Sequence, residues 1–442
     1  MKKRLFLYKS AIVASLAGFL FGFDTVVISG AEQTIQSLWN LNSALHGLAI
    51  SMALWGTVAG SLLGGWPSEY FGRKKTLLWI GVLYLVSAAG SALAPEIYSF
   101  MLFRFIGGLG VGISTVAAPM FIAEIAPPKY RGRLTGMFQF NIVFGILVAF
   151  LSNSLIRGTS VNDWRWMLAV MALPALIFAL SCITLPESPR WLIVHKRNRT
   201  GALEVLKKIN PGFSTGDLDA LVNEIELSRH EERRGVVFFS RQLMKPIFLA
   251  FFVAFFNQLS GVNAILYYAP RIFEMTGLGT QTALLQSIGI GITNLIFTFI
   301  GLWLIDRLGR RTLLLIGSFG YIASLGLTAW AFYSGQFNMV PVLIFGFIAA
   351  HAIGQGAVIW VLISEVFPNK QRAFGQAFGS FTHWFFAALI TLTFPIMAEA
   401  LKPHLIFGFF CGMMVLQLIW VIFFVPETKG ISLEKMEEKI HT

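Results

Sequence analysis

The chain has 442 residues, of which 56% are hydrophobic and only 13% charged, with a formal net charge of +12 and a mean hydropathy of +0.70. Soluble domains carry roughly 25% charged residues, so a water-soluble globular fold is excluded. So is a disulfide or metal scaffold, since the two cysteines, Cys182 and Cys411, both lie inside apolar runs.

A membrane-crossing helix needs about 20 apolar residues, and twelve stretches meet that requirement, predicting an all-α integral membrane fold. In the first half they lie near 8–30, 44–66, 77–94, 98–120, 134–155 and 164–185. In the second half they lie near 246–270, 281–304, 312–333, 341–365, 373–398 and 404–425. The first follows Met1-Lys2-Lys3-Arg4 but has no small-residue cleavage site, so it reads as an uncleaved helix and not a signal peptide. With loops assigned to alternating sides, 29 of the 34 Lys and Arg residues fall on one side. That is the positive-inside bias; it predicts a multi-pass protein of the cell (inner) membrane with both termini in the cytoplasm, and it excludes nucleic acid as the reason for the charge.

Taken in chain order, Asp24 lies in the first span. Glu69 and Gly72-Arg73-Lys74-Lys75 separate the second span from the third, Arg104 lies in the fourth, and Glu124 and Arg131 bracket the passage to the fifth. Gln139 is in the fifth, and Pro186-Glu187-Ser188-Pro189-Arg190 follows the sixth. Amphipathic patches at 202–209 and 218–227 predict short helices packed under the bundle. The seventh span carries Asn257-Gln258-Leu259-Ser260-Gly261-Val262-Asn263 and then Tyr267-Tyr268. Asn294 is in the eighth, His351 and Trp360 in the tenth, and His383-Trp384 in the eleventh.

The loop signals occur twice, about 240 residues apart: Gly309-Arg310-Arg311 after Asp306, Glu365 with Arg372, and Pro426-Glu427-Thr428-Lys429. The chain is therefore two copies of one unit, in two pseudo-symmetric six-helix bundles. Parallel membrane halves with a site at their seam are the architecture of a rocking transporter. The expected division is 1–189 for the first bundle, 190–245 for a cytoplasmic linker, 246–428 for the second bundle and 429–442 for a tail, in which 431–440 reads as a further short helix. The duplicated charges are expected to form ion pairs linking the halves at the cytoplasmic face. The plainer alternative is that they serve topology and solubility, since exposed pairs contribute little stability.

Polar groups at membrane depth are costly and mark a pathway. Sugar hydroxyls both donate and accept, so they call for amides together with an aromatic face. Gln139, Asn257, Gln258, Asn263, Tyr267, Asn294, Trp360, His383 and Trp384 supply these from five spans. Gln258 and Asn263 stand about 140° apart on a straight helix, so they reach one ligand only if the helix unwinds, for which Gly261 is suited. Asp24 and Arg104 read as a pair: a cation beside the acid favours its charged form and desolvation the neutral one, so a movement that parts them would bind and release a proton. His351 and His383 are the alternative proton carriers.

Pro186-Glu187-Ser188-Pro189-Arg190-Trp191, Pro426-Glu427-Thr428-Lys429-Gly430 and the Gly-Arg-Arg loops together resemble the sugar porter branch of the major facilitator superfamily over essentially the whole chain. Within it the chain is similar to bacterial xylose–proton symporters and facilitative glucose carriers. The resemblance implies the major facilitator fold, and an inner-gate role for Arg73, Glu124, Arg131, Glu187, Arg310, Glu365 and Arg372. It implies sugar contacts for Gln139, Gln258, Asn263, Asn294, Trp360 and Trp384, with Gly356 lining the site. Family symporters have Asp and Arg at the positions of Asp24 and Arg104, whereas the facilitative carriers replace the acid by Asn. Four departures leave the sugar open, hexose or pentose: Asn257 for a Gln, His383 for Gln or Asn, Ala357 for a Pro and His351 for an aromatic.

The expected function is thus alternating-access monosaccharide transport coupled to protons, by a chain acting as a monomer in the bilayer, without cofactor or metal. The alternatives are a proton-independent facilitator and a sugar-sensing receptor; an enzyme would need an acid–base or metal cluster that the spans do not supply.

Overall fold

The computed structural model describes residues 5–231, 238–368 and 371–429. Within them, 12 helices are long and apolar enough to cross a membrane. The first six are Leu5–Gly30, Ser43–Leu63, Arg73–Leu93, Ile97–Ile125, Tyr130–Ile156 and Asp163–Ile183. The second six are Arg241–Tyr267, Thr280–Leu308, Arg310–Ser334, Phe337–Val366, Arg372–Ala400 and Pro403–Phe424. Each expected span falls on one of these, usually extended by a turn into polar sequence, because the helix continues into the headgroup region where no apolar signal marks it. The fold is all-α, with two pseudo-symmetric six-helix bundles.

The duplication reaches the backbone itself. Gly72 and Gly309 both turn the chain into the next helix at φ +94°, a conformation that only glycine adopts without strain. A side chain at either would collide with a carboxylate, Glu187 at Gly72 and Glu427 at Gly309.

Small residues bring helices close, as lipid-embedded packing requires. Within the first half, a Cβ at Gly56 or Gly108 would strike the backbone of the facing helix, Phe105 or Ala53. Across the seam, Gly47 of the second span abuts the Leu392 carbonyl of the eleventh, and Gly291 of the eighth lies against Leu147 of the fifth. The seam is thus in contact at the end remote from the 190–245 segment.

The halves differ in which spans are interrupted: the sixth breaks between Ala169 and Ala172, while the twelfth is continuous. The first and fourth spans run unbroken through mid-membrane, whereas their counterparts are interrupted. The seventh stops at Leu259 and restarts at Val262, and the tenth stops at Ile353 and restarts at Gln355.

Between the halves, helices Pro189–Val194, Arg199–Ile209 and Thr215–Glu231 form a small cluster around Ile193, Ala202, Leu206, Leu218 and Val222. Arg199 bonds to Asp219 (2.8 Å), Asn223 (3.0 Å) and Glu226 (3.2 Å), fastening the second of these helices to the third. Both amphipathic patches expected between the halves are helical; the one expected at 431–440 lies outside the described residues. Val222 is fully buried in this cluster, so Val222→Asp would place an unpaired charge in it, costing on the order of several kcal/mol. Limited proteolysis should then cut within 189–231 much faster while the circular dichroism of the spans is unchanged; equal cutting would mean that this cluster does not hold the linker together.

Candidate functional site

The seventh-span break settles the geometric difficulty posed by its amides. Gly261 takes the left-handed conformation, φ +85°, and this resets the helix so that Asn263 and Gln258 face each other. Asn263 Nδ2 donates to Gln258 Oε1 at 2.6 Å, and Gln258 Nε2 donates to Asn257 Oδ1 at 2.9 Å. The same Gln258 Nε2 lies 3.1 Å from His383 Nε2 on the eleventh span. A continuous amide–imidazole chain thus crosses between two helices of the second half.

Aromatic rings surround it. His383 packs on Trp360 (5.0 Å between centroids) and on Trp384 (4.6 Å), and Trp384 meets Phe21 of the first span edge-on at 5.4 Å. The contact with Phe21 brings the first half to the site. Trp384 is buried, and its indole N–H has no hydrogen-bond partner among the described residues.

Gln139 is half-buried on the fifth span, at helical spacing from the buried Val143, Ile146 and Phe150. Asn294 is buried on the eighth span and accepts from Thr298 at 3.4 Å, leaving its N–H groups for another partner. Gly356 sits against the ring of His351, and a Cβ there would lie 3.4 Å from His351 Nε2. His351 Nδ1 is 2.6 Å from the Tyr321 hydroxyl. Both histidines suggested by the sequence as alternative proton carriers are therefore held by neutral partners.

Asp24 and Arg104 form a buried ion pair, Nη1 to Oδ1 at 2.6 Å, and Arg104 Nη2 also donates to the Asp24 backbone carbonyl at 3.2 Å. The guanidinium is not saturated, since its Nε has no partner among the described residues. Tyr267 is buried on the second half just beyond Asn263, in the short helix Val262–Tyr267, which packs against the first span that carries Asp24.

The duplicated loop motifs build two matching clamps. Arg73 forks onto Glu124 at 3.0 and 2.9 Å and also bonds to Glu69 and the Ser68 carbonyl. Arg310 forks onto Glu365 at 3.0 and 2.8 Å and bonds to Asp306 and the Ile305 carbonyl. Glu187 accepts from the backbone N–H of Arg73 and Lys74, and Glu427 from those of Arg310 and Arg311. Each carboxylate thereby caps one helix start, taking two first-turn N–H groups that have no partner within the helix.

These clamps correct the expectation that the duplicated charges pair across the halves. Arg73, Glu124 and Glu187 come together inside the first half, and Arg310, Glu365 and Glu427 inside the second. Glu124 closes the fourth span, which ends at Ile125, and Arg131 lies in the helix that Pro128 begins, while the partner of Glu124 is Arg73 at the start of the third span. Arg131 is exposed, and Arg372 is half-buried at the matching helix start.

The sequence reading missed a cross-half cluster at the opposite end. Glu32, fully buried, accepts from Arg271 Nε (2.9 Å) and Nη2 (2.7 Å) and lies 2.8 Å from His46 Nε2. The available signal was the scarcity of cations on that side, where Arg271 is one of four.

The family model described as "Sugar (and other) transporter" matches residues 10–440. The chain belongs to this family. It is a membrane transport protein and not an enzyme. It is 36% identical over 436 residues to the arabinose-proton symporter of Bacillus subtilis (strain 168), covering 96% of this chain and 93% of that one. It is 33% identical over 437 residues to the galactose-proton symporter of Escherichia coli (strain K12), covering 97% and 93%. The inward-open conformation of the xylose transporter XylE from E. coli superposes with a TM-score of 0.86 at 32% identity, covering 98% of this chain and 99% of that one.

Two outcomes follow. Gly261→Ala forces a Cβ into the left-handed region, costing about 1–2 kcal/mol, and drives it against Phe410, 2.6 Å away; the melting temperature of the purified protein should fall and ligand binding should weaken together. The second concerns pH. Burial pushes the Glu187 carboxyl above its ordinary 4.5, against the N–H groups of Ser188, Lys74 and Arg73 and the Arg73 charge. Burial also acts on Glu427, but four backbone N–H donors (Lys429, Arg310, Arg311 and Thr428) outweigh it and hold that carboxyl below 4.5. Glu427 therefore stabilises above its ordinary value and loses this as pH falls through its own, whereas the contribution of Glu187 is present at low pH and fades as pH rises through its raised value. Thermal melts below pH 4.5 should show a shallower acid loss in Glu427→Gln than in the parent and no such flattening in Glu187→Gln.

Proposed function

We propose that the protein carries a monosaccharide across the cell membrane together with a proton, by rocking its two bundles about the seam, with both termini in the cytoplasm. The observation that carries this reading is the buried Asp24–Arg104 pair, whose acid lies on the first span, against which the short helix Val262–Tyr267 packs. Tyr267 belongs to the same short helix, Val262–Tyr267, as Asn263, whose amide bonds Gln258. The proton site of one half is thus joined to the amide chain of the other by one short helix.

The sugar is held by Gln139, Asn257, Gln258, Asn263, Asn294 and His383 as hydrogen-bonding groups, with Trp360 and Trp384 supplying aromatic faces and Gly356 keeping the wall open. Binding replaces internal bonds such as Gln258–Asn263 by bonds to hydroxyls, so no buried amide loses its partners. A proton arriving at Asp24 removes the negative charge that holds Arg104. The first and fourth spans are then free to shift, and with them Tyr267 and its helix. The Arg73–Glu124 and Arg310–Glu365 clamps keep each bundle rigid at its cytoplasmic end, with Glu187, Arg131 and Arg372 at the same face, so the movement is concentrated at the seam. A single chain holds the whole pathway, which favours a working monomer in the lipid bilayer. The relatives' names span arabinose, galactose and xylose, which supports a monosaccharide without choosing among pentoses and hexoses.

The test is uptake of radiolabelled monosaccharides into proteoliposomes with and without an inward proton gradient. Asp24→Asn should abolish gradient-driven accumulation while sugar counterflow persists, and Gln258→Ala should lower both by at least about tenfold, the scale of losing a buried hydrogen-bond pair. Accumulation by Asp24→Asn would favour the proton-independent facilitator; counterflow by no monosaccharide would remove the sugar reading.

A further inference from the structure

We propose that Glu32, His46 and Arg271 form a charge latch that holds the extracellular face shut and opens by exchange of partners. The proposal rests on the alternating-access reading above. Glu32 comes from the short helix Glu32–Leu38 after the first span, and His46 from the start of the second, so both belong to the first bundle. Arg271 comes from the short helix Ala269–Glu274 after the seventh span and belongs to the second bundle.

The carboxylate of Glu32 is fully buried and its two oxygens are fully engaged. Oε1 accepts from Arg271 Nε at 2.9 Å, and Oε2 accepts from Arg271 Nη2 at 2.7 Å. His46 Nε2, 2.8 Å from Oε2, must be a donor there, because an ionised carboxylate only accepts. Arg271 also donates to Gln36 Oε1 at 2.5 Å. Beneath the cluster, Tyr268 of the second bundle meets the His46 ring edge-on at 6.2 Å, and its hydroxyl donates to the Thr391 carbonyl at 3.0 Å. Gln33 to Glu274 (2.7 Å) and Ser43 to Glu399 cross the same seam. The charged groups facing one another here are Glu32, His46, Arg271, Glu274 and Glu399.

An outward-open state must part Glu32 from Arg271. A buried pair broken on one side leaves a bare charge, which is strongly unfavourable, and here each bundle keeps a substitute partner. His46 travels with Glu32. Glu274 lies three residues after Arg271 on one helical face, and its Oε1 has no partner among the described residues. When the seam opens, Glu274 loses Gln33 and takes Arg271. The latch therefore sets how readily the outer face opens, without leaving a charge unpaired in either state.

The experiment uses the full chain with a reporter cysteine at Thr391, which is fully buried behind Tyr268, labelled from outside by a membrane-impermeant maleimide. Glu32→Gln and Arg271→Gln should each raise the labelling rate at least about tenfold, since either removes one partner of the buried pair. The double variant should rise no further than the larger single effect, because both remove one interaction. Glu274→Gln should slow labelling, an opposite sign that general loosening would not give. Unchanged rates in the two single variants, effects that multiply in the double, or faster labelling in Glu274→Gln would overturn the latch. Should a Gln variant fail to fold, Glu32→Asp keeps the charge but shortens its reach; it should label at an intermediate rate, and the parental rate would overturn the proposal. Counterflow in the same proteoliposomes separates the two readings: a parent without counterflow fails as a transporter, whereas a parent with counterflow and unaltered labelling in the variants fails only as a latch.

Discussion

A charge within a hydrocarbon layer is tolerated only beside a counter-charge, and this constraint organises the molecule from end to end. Asp24 has Arg104 at mid-depth, and the Arg73 and Arg310 forks hold Glu124 and Glu365 at one face. Glu32 is held by Arg271 and His46 at the other. What differs is where each pair lies relative to the seam. The loop pairs inside each bundle make that bundle rigid, whereas a pair across the seam must be remade whenever the bundles move. The same chemistry therefore serves as scaffold at the Arg73 and Arg310 forks and as a moving part at Asp24–Arg104 and Glu32–Arg271.

The two bundles divide the remaining work unevenly. The first contributes continuous first and fourth spans and the buried acid; the second contributes the interrupted helices at Gly261 and Gly354, around which the amides and indoles gather. An interrupted helix exposes backbone and side-chain polarity to a ligand, while a continuous one hides it. The short helix Val262–Tyr267 touches both provinces, with Asn263 in the amide chain and its body against the first span that carries Asp24. Its length is under two turns, so a displacement at one end is felt at the other.

Much of this was legible before any coordinates. Spans were readable because twenty apolar residues have few other uses, and the need for a break between Gln258 and Asn263 followed from helical geometry alone, with Gly261 meeting it. The pairing of Asp24 with Arg104 was readable because each is rare at that depth. The destinations of the loop charges were not. Glu124 and Arg131 are near in sequence but on separate helices, and the partner of Glu124 is 51 residues away on the third span. Glu32 escaped notice because it sits just past a span, where an acid is ordinarily solvated; only the tertiary fold buries it against Arg271.

The carboxylates Glu187 and Glu427 have a meaning beyond local capping. Each lies where the chain leaves its bundle, and each grips the first residues of that bundle's third helix. The exit of every six-helix unit is thereby fastened to its own interior, independently of the sequence that follows. A unit that carries its own clasp does not need a neighbour to stay closed. Such a unit can be copied, joined end to end through an arbitrary connector and left to drift, which is the history that the two diverged copies in this chain record.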